Sequence, residues 1–147
     1  GFKAYLLDGD TVRSGLNKDL DFSEDDRHEN IRRIGEVCKL MHEAGLIVIT
    51  AFISPFRFER DFVRSLILPT DFAEVFVDAS LESCEERDIK GLYEKARKKI
   101  ITDFTGIDSP YETPLHPELT LQTDNETEAE SLSRLIDFLI PKISLAL

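Results

Sequence analysis

Apolar positions along this chain follow two rhythms. Continuous apolar runs recur at residues 3 to 7, at 46 to 52 ("LIVITAF"), at 73 to 78 ("AEVFVD") and at 119 to 123 ("LTLQT"), and each predicts a short strand. The unbroken Tyr5-Leu6-Leu7 run predicts a strand buried on both faces. Between these runs the apolar residues return every three or four positions. The clearest helix begins at Ser23, which with Asp26 makes a capping-box-like S-x-x-D. It carries Ile31, Ile34, Cys38 and Met41 on one side and stops at Gly45. A second helix, "RFERDFVRSLI", follows Pro55, and a third, "TEAESLSRLIDFL", is expected to end near Pro141. Strands alternating with helices predict βαβ units and a parallel sheet with right-handed crossovers. The expected fold is therefore a three-layer α/β domain spanning residues 1–147. There is no internal repeat or low-complexity linker. Residues 88 to 118 lack a strand and hold Gly91, Gly106, Pro110, Pro114 and Pro117, so this irregular stretch reads as a functional lid.

Composition narrows the class. With 41% hydrophobic and 32% charged residues in 147, the chain is an ordinary globular domain with one sizeable core. Its longest apolar run, "GLIVITAFI", is about half of what a bilayer span needs, and no basic-then-apolar leader precedes it. A cytoplasmic protein without membrane partners is expected. Cys38 and Cys84, with His28, His42 and His116, are too scattered for zinc-ligand spacing, and both cysteines are expected to pack as small apolar groups. A net charge of −11 argues against a nucleic-acid partner. The charge is uneven, however. Residues 87 to 99, "RDIKGLYEKARKK", hold six of the 18 basic residues against two acids. This run reads either as a solvated helix face or as a clamp for a polyanionic small molecule.

The chemistry gathers where strands end. Asp8 and Asp10 follow the first strand, at the edge where open parallel sheets bind ligands, and two carboxylates there suit a metal ion or a hydroxyl to be deprotonated. Arg13, three residues after Asp10, shares one side of a helical turn with it, as a plain salt bridge would also require. Arg27 and Asn30 lie one turn ahead of Ile31 and Ile34 on the inward side of the long helix. An arginine there serves an anion, or pairs with Asp25 or Asp26. The stretch "FISPFR" ends the strand at 46 to 52; its Ser54 reads as a turn residue or cap, and Arg57 faces the ligand edge. Phe22 and Phe104 stand outside the periodic core patterns, where each either stacks on a base or anchors a loop. Carboxylates, arginines, a basic lid and loose aromatics around one sheet edge predict a nucleotide-handling phosphotransferase. No segment of the form G-x-x-x-x-G-K-[ST] occurs.

Taken in order, "YLLDGDTVRSGLN", "FSEDDRHENIRRIGEV", "AGLIVITAFISPFR", "EVFVDASLESCEERDIKGLYEKAR" and "FTGIDSPYE" resemble adenylyl-sulfate kinase over nearly the whole chain. The resemblance implies a fold of the P-loop nucleoside triphosphate hydrolase type, and transfer of the ATP γ-phosphate to the 3′-hydroxyl of adenosine 5′-phosphosulfate (APS), giving PAPS. It implies ATP and Mg2+ as cofactors, a homodimer, and ATP sulfurylase as a possible fused or associated partner. Asp10 would hold or sense the metal and act as general base, with Asp8 supporting the metal shell. Arg13, Arg27 and Asn30 would grip APS, and Phe22 and Phe104 would sandwich its adenine. Ile53 would contribute its backbone, and Ser54 matches the family's proposed phosphoserine position. Arg87 would lie against the ATP adenine and Lys90 would face the phosphates from the lid. The chain has "LDFS" where the family usually has "LGFS", placing Asp21 beside the substrate loop, where its charge would weaken anion binding. It also has "RDIKG" for "RDPKG" and "ARKKII" for "ARAGEI". In the family a central first strand, the P-loop and a helix precede the segment that opens this chain. An amino-terminally incomplete domain, inactive by itself, is therefore expected. A non-catalytic nucleotide-binding regulatory module and a non-functional fragment are the alternatives.

Overall fold

The computed structural model describes residues 1–144 and contains all four expected strands: β1 (Ala4–Asp8), β2 (Ile47–Ala51), β3 (Val75–Asp78) and β4 (Leu119–Gln122). The helices are α1 (Gly9–Ser14), α2 (Glu24–Glu43), α3 (Arg57–Ser65), α4 (Leu81–Glu86), α5 (Leu92–Arg97) and α6 (Glu128–Ser144). The chain divides into two units. The first is Gly1–Thr70 with Pro110–Glu112, and the second is Asp71–Ser109 with Thr113–Leu147. Among the described residues no helix is long and apolar enough to cross a membrane.

In the first unit β1 pairs with β2 in parallel, from Ala4 opposite Ile47 to Asp8 opposite Ala51. Helix α2 starts as its sequence requires: the Ser23 hydroxyl accepts from the Asp26 N–H at 3.2 Å and donates to the Asp26 carboxylate at 2.8 Å. Its apolar stripe buries Ile31, Ile34 and Cys38. Ile34 and Cys38 join Val12 of α1 in a core on which Leu7, Val48 and Phe52 pack. Gly35 sets how closely the chain at α3 approaches, because a Cβ there would meet Leu66 and Val63 side-chain carbons at 3.1 Å. Past the helix end, Gly45 adopts φ +83°, a left-handed conformation that glycine enters without a Cβ clash.

One expectation for this unit fails. β1 is not buried on both faces: Tyr5 and Leu6 are 53% and 57% exposed, and of the run Tyr5-Leu6-Leu7 only Leu7 reaches the core. An apolar run records which residues tolerate burial, but not which face a helix covers. Here the cover comes at the strand's carboxyl end, where α1 and α2 supply Val12, Ile34 and Cys38.

In the second unit β3 pairs with β4 in parallel, from Val75 opposite Leu119 to Asp78 opposite Gln122. Ser80 caps α4, its hydroxyl accepting from the Ser83 N–H at 3.2 Å. Residues 88 to 118 contain no named strand, as expected, but they are not wholly irregular, since α5 and a bridge between Thr105 and Ser109 lie within them. Helix α6 contains Pro141 rather than ending at it. Proline removes a single N–H donor there, and the bonds on either side carry the helix past it. Cys38 is buried, and its thiol is pushed up to about 11 by desolvation. Cys84 is half-buried and shares a hydrogen bond with Tyr93, whose hydroxyl burial and that contact push up to about 12.

Candidate substrate site

Asp8 closes β1 and caps α1. Its Oδ2 accepts from the Thr11 N–H at 3.1 Å and the Thr11 hydroxyl at 3.3 Å, which fixes the turn that presents Asp10 on the exposed first turn of the helix. The turn lies beside the end of β2: a Cβ on Gly9 would sit 3.4 Å from the Ala51 carbonyl and 3.5 Å from the Phe52 ring. Ile53 and Ser54 follow directly. Ile53 is exposed, and Ser54 is half-buried with φ +41°, an uncommon conformation for a residue with a side chain. Ser54 does not cap α3; that place belongs to Phe56, whose N–H meets the Glu59 carboxylate at 3.4 Å. The Ser54 carbonyl accepts from Arg60 at 2.6 Å, and the same guanidinium reaches the Glu112 carbonyl at 2.6 Å.

The loop between α1 and α2 gathers the expected cations. Arg13 donates to the Leu20 carbonyl at 3.4 Å and the Asp21 carbonyl at 2.9 Å, and its guanidinium lies 4.5 Å above the Phe22 ring. Arg27 donates from Nε to the Phe22 carbonyl at 2.9 Å. Two arginines thus hold three successive carbonyls of one loop, and Phe22 is left 60% exposed at its tip. Burial, and after it the neighbouring charge of Arg27, push the Arg13 guanidinium below its ordinary pKa, against the opposing pull of Asp26 and Asp21. Two cations crowded in this way gain from an anion placed near both. Asp21, the departure from the family pattern, acts through its carbonyl on Arg13 as well as through its charge.

Asn30 is buried, and its Oδ1 accepts from Asn17 Nδ2 at 2.9 Å. Asn17 has no exposed surface at all, and its Oδ1 faces Arg33 Nη1 at 3.5 Å. Arg33 is gripped bidentately by Asp19, at 2.8 Å twice, and by Glu29 at 2.8 Å. Hydrogen bonds from Arg32 and Arg33 hold the Glu29 carboxyl down at about 2. The reading of the sequence missed Asn17, and no local signal marks it: Asn17 belongs to no apolar period and to no motif of metal or nucleophile spacing. It missed Glu59 for the same reason, though this carboxylate is 3% exposed and lies 2.5 Å from His28 Nδ1.

The remaining candidates lie in the second unit. Arg87 donates to the Thr123 carbonyl at 2.7 Å and the Thr123 hydroxyl at 3.2 Å, and it stands 3.9 Å from Asp124. Lys90 is exposed on the turn before Gly91. Phe104 is half-buried, its ring edge-on to Tyr93 with centroids 4.9 Å apart, and Asp108 accepts from its N–H at 2.6 Å. The basic run 87 to 99 is partly neutralised: Arg97 pairs with Glu85 at 2.9 Å, and Lys98 pairs with Glu94.

Among the described residues no group of three or more histidines, cysteines or carboxylates is placed to hold a metal. The two aspartates at β1 nonetheless fit Mg2+, which keeps several waters and binds through one or two carboxylates together with nucleotide phosphates.

Carboxylates at a strand end, beside two arginines and an open aromatic, are the equipment of a phosphotransferase that handles a nucleotide. Comparison with known proteins gives the same class. Residues 1–122 match the family described as adenylylsulphate kinase. The adenylyl-sulfate kinase of Marinobacter nauticus is 60% identical over 139 residues, covering 95% of this chain and 70% of that protein. The structure of the Mycobacterium tuberculosis APS kinase CysC in complex with AMPPNP and APS superposes with a TM-score of 0.87 at 47% identity, over 95% of this chain and 81% of that one. The bifunctional enzyme CysN/CysC of Xylella fastidiosa is 55% identical over 139 residues, which are 22% of its own length. The chain belongs to the adenylyl-sulfate kinase family, a family of kinases with the P-loop nucleoside triphosphate hydrolase fold.

Proposed function

We propose that this chain supplies the APS-binding and proton-handling half of a reaction that moves the γ-phosphate of ATP to the 3′-hydroxyl of APS, forming PAPS for sulfate assimilation. The observation that carries this reading is the convergence of Arg13 and Arg27 on the loop of Phe22, with the Arg13 guanidinium over one face of its exposed ring. Their charges suit the phosphosulfate, Asn30 adds a fixed amide, and the Phe22 face suits adenine, with Phe104 assigned to the same base. Asp10 takes or steers the proton of the attacking hydroxyl, and Asp8 holds the turn that carries it. Asp8 and Asp10 would hold Mg2+, which would supply positive charge to offset the charge that develops during phosphoryl transfer. The Ile53 backbone borders the site, and Ser54 need not be phosphorylated, because positioning and electrostatics suffice for direct in-line transfer. In the second unit Arg87 serves the ATP adenine and Lys90 the phosphates, with residues 88 to 118 as the lid of a single kinase domain. A homodimer in the cytoplasm is the expected setting. Fusion to a sulfurylase partner is supported by the likeness to the bifunctional Xylella protein.

Residues 1–147 contain no G-x-x-x-x-G-K-[ST] segment, and fixed backbone N–H groups of such a loop are what cradle the β- and γ-phosphates in P-loop enzymes. The exposed lysines of the lid offer only a screened attraction in their place. The 147-residue chain is therefore expected to transfer no phosphate, and the same chain extended ahead of Gly1 by a strand, a phosphate loop and a helix is expected to do so. A coupled assay for PAPS decides this. Transfer by the unextended chain, or none by a folded extended one, contradicts the reading; the second result favours a non-catalytic nucleotide-binding module.

A further inference from the structure

Asn17 is the most deeply buried polar side chain of the first unit, yet it belongs to no role described above. It joins two groups of opposite demand. On one side stands Arg33, whose guanidinium can only donate; on the other stands the amide of Asn30, which can donate or accept. An amide placed between them has one good orientation. Its Oδ1 turns to the cation at 3.5 Å, a long contact whose preference is electrostatic, and its Nδ2 must then point to Asn30 at 2.9 Å. The bond from Asn17 in turn fixes Asn30: its Oδ1 is taken, so the group it has left for a ligand is the Nδ2 donor.

We infer that Asn17 is a positioning residue which, oriented by Arg33, sets the polarity of the Asn30 amide so that its donor end serves the anionic substrate. This rests on the reading of Asn30 as a substrate-binding residue. The relay is held at its outer end, because Asp19 grips Arg33 through both oxygens and Glu29 adds a third contact. It is held along the backbone as well, since the Asn17 N–H donates to the Val12 carbonyl at 3.0 Å and the Asn17 carbonyl accepts from the Leu20 N–H at 3.1 Å. A reversed Asn30 would present a carbonyl oxygen to a phosphosulfate, replacing an attraction with a repulsion. Packing alone does not require this polarity, so the two roles separate by experiment.

The discriminating variant is Asn17→Asp. A carboxylate of the same shape still accepts from Arg33, with which it forms an ion pair, but it cannot donate to Asn30. The Asn30 amide then turns its Nδ2 inward and its oxygen outward. Calorimetric titration of the full chain with APS is expected to show affinity reduced roughly tenfold or more, the size of one hydrogen bond to a charged group lost. Thermal melting is expected to change little. Should Asn17→Asp not fold, Arg33→Ala, which leaves Asn17 free to adopt either orientation, is expected to weaken APS binding, and Arg33→Lys, still a donor-only cation, to restore most of it. Asn30→Ala tests the underlying reading separately. If Asn30→Ala weakens APS binding and folded Asn17→Asp binds like the wild type, the relay is wrong. The relay is also wrong if Arg33→Ala binds like the wild type. If Asn30→Ala is itself without effect, or if the wild-type chain does not bind APS, the assignment of Asn30 falls and the relay falls with it.

Discussion

The loop that ends in Phe22 and the loop that holds Phe104 each carry an aromatic outside the core, and they are built in opposite ways. Around Phe22 the cations are turned on backbone carbonyls. Arg13 and Arg27 brace Leu20, Asp21 and Phe22, and the ring stays 60% exposed beneath a guanidinium. Around Phe104 the ring is already engaged edge-on with Tyr93, and the nearby basic run is tied to Glu85, Glu94 and Thr123. A count of positive residues favours the second loop as an anion clamp. The geometry favours the first, because two arginines converge there on the carbonyls of one loop beside an open ring, whereas Arg97 and Lys98 of the basic run are paired with carboxylates.

The largest effect that sharpens this contrast is chemical. In an active, extended form bearing a phosphate loop, Asp10→Asn is expected to lower turnover by ~100 to 10,000-fold while nucleotide affinities change little, the usual size of a lost general base. Unchanged turnover at saturating Mg2+ removes Asp10 from that role. Next in size, Arg27→Ala is expected to weaken APS binding by the equivalent of about 1.5 to 3 kcal/mol and to leave ATP binding nearly intact, and Lys90→Ala to show the opposite preference. Equal losses of both nucleotides for Arg27→Ala, read by calorimetry, would make Arg27 a brace for the loop only.

The two aromatics can be set against each other directly. Phe104→Ala removes a packed edge-on pair, worth about 0.5 to 1.5 kcal/mol beyond its buried area, so it is expected to lower the urea midpoint. Phe22→Ala is expected to leave the midpoint in place and to weaken APS binding by about 1 to 3 kcal/mol, as loss of a stacking platform does. Reversal of these two outcomes breaks the comparison. The smallest effect is that of acid. Hydrogen bonds from arginine hold the Glu29 carboxyl near 2, and the Asp19 carboxyl is also lowered, chiefly by Arg33. Groups depressed in the folded state contribute stability that is complete above their unfolded pKa and is lost as pH falls through the folded value. A modest fall in stability between pH 5 and pH 2 is therefore expected, reduced in the Arg33→Ala variant, and small because these carboxylates are solvent-screened. Denaturation midpoints measured across that range check it.

Much of the frame was legible in the residues. Four apolar runs became four strands within two residues at each end, and Ser23, Asp26 and Gly45 bounded α2 as their side chains require. What escaped depends on partners distant in sequence. The exposure of Tyr5 and Leu6 depends on which strand face a helix covers, which an unbroken apolar run does not encode. Helices α4 and α5, six residues each, are too short to show a period. The helix expected to end near Pro141 includes that proline and is described to Ser144. Of the candidate site, the placement of Asp8 and Asp10 at the end of β1 and of Arg27 in the first turn of α2 was readable. The bracing of the Leu20 to Phe22 carbonyls and the burial of Asn17 and Glu59 were not, because each is set by a fold that brings together residues from separate elements.

The central claim is that the Arg13, Phe22 and Arg27 cluster is an anion-and-adenine site for APS. Calorimetric titration of the full 147-residue chain with APS, beside the Arg27→Ala variant, tests it most directly. The account predicts saturable binding of one APS per chain by the wild type, weakening with added salt and lost by about tenfold or more in the variant. Absence of binding by the folded wild-type chain, or equal affinity in the variant, would contradict it.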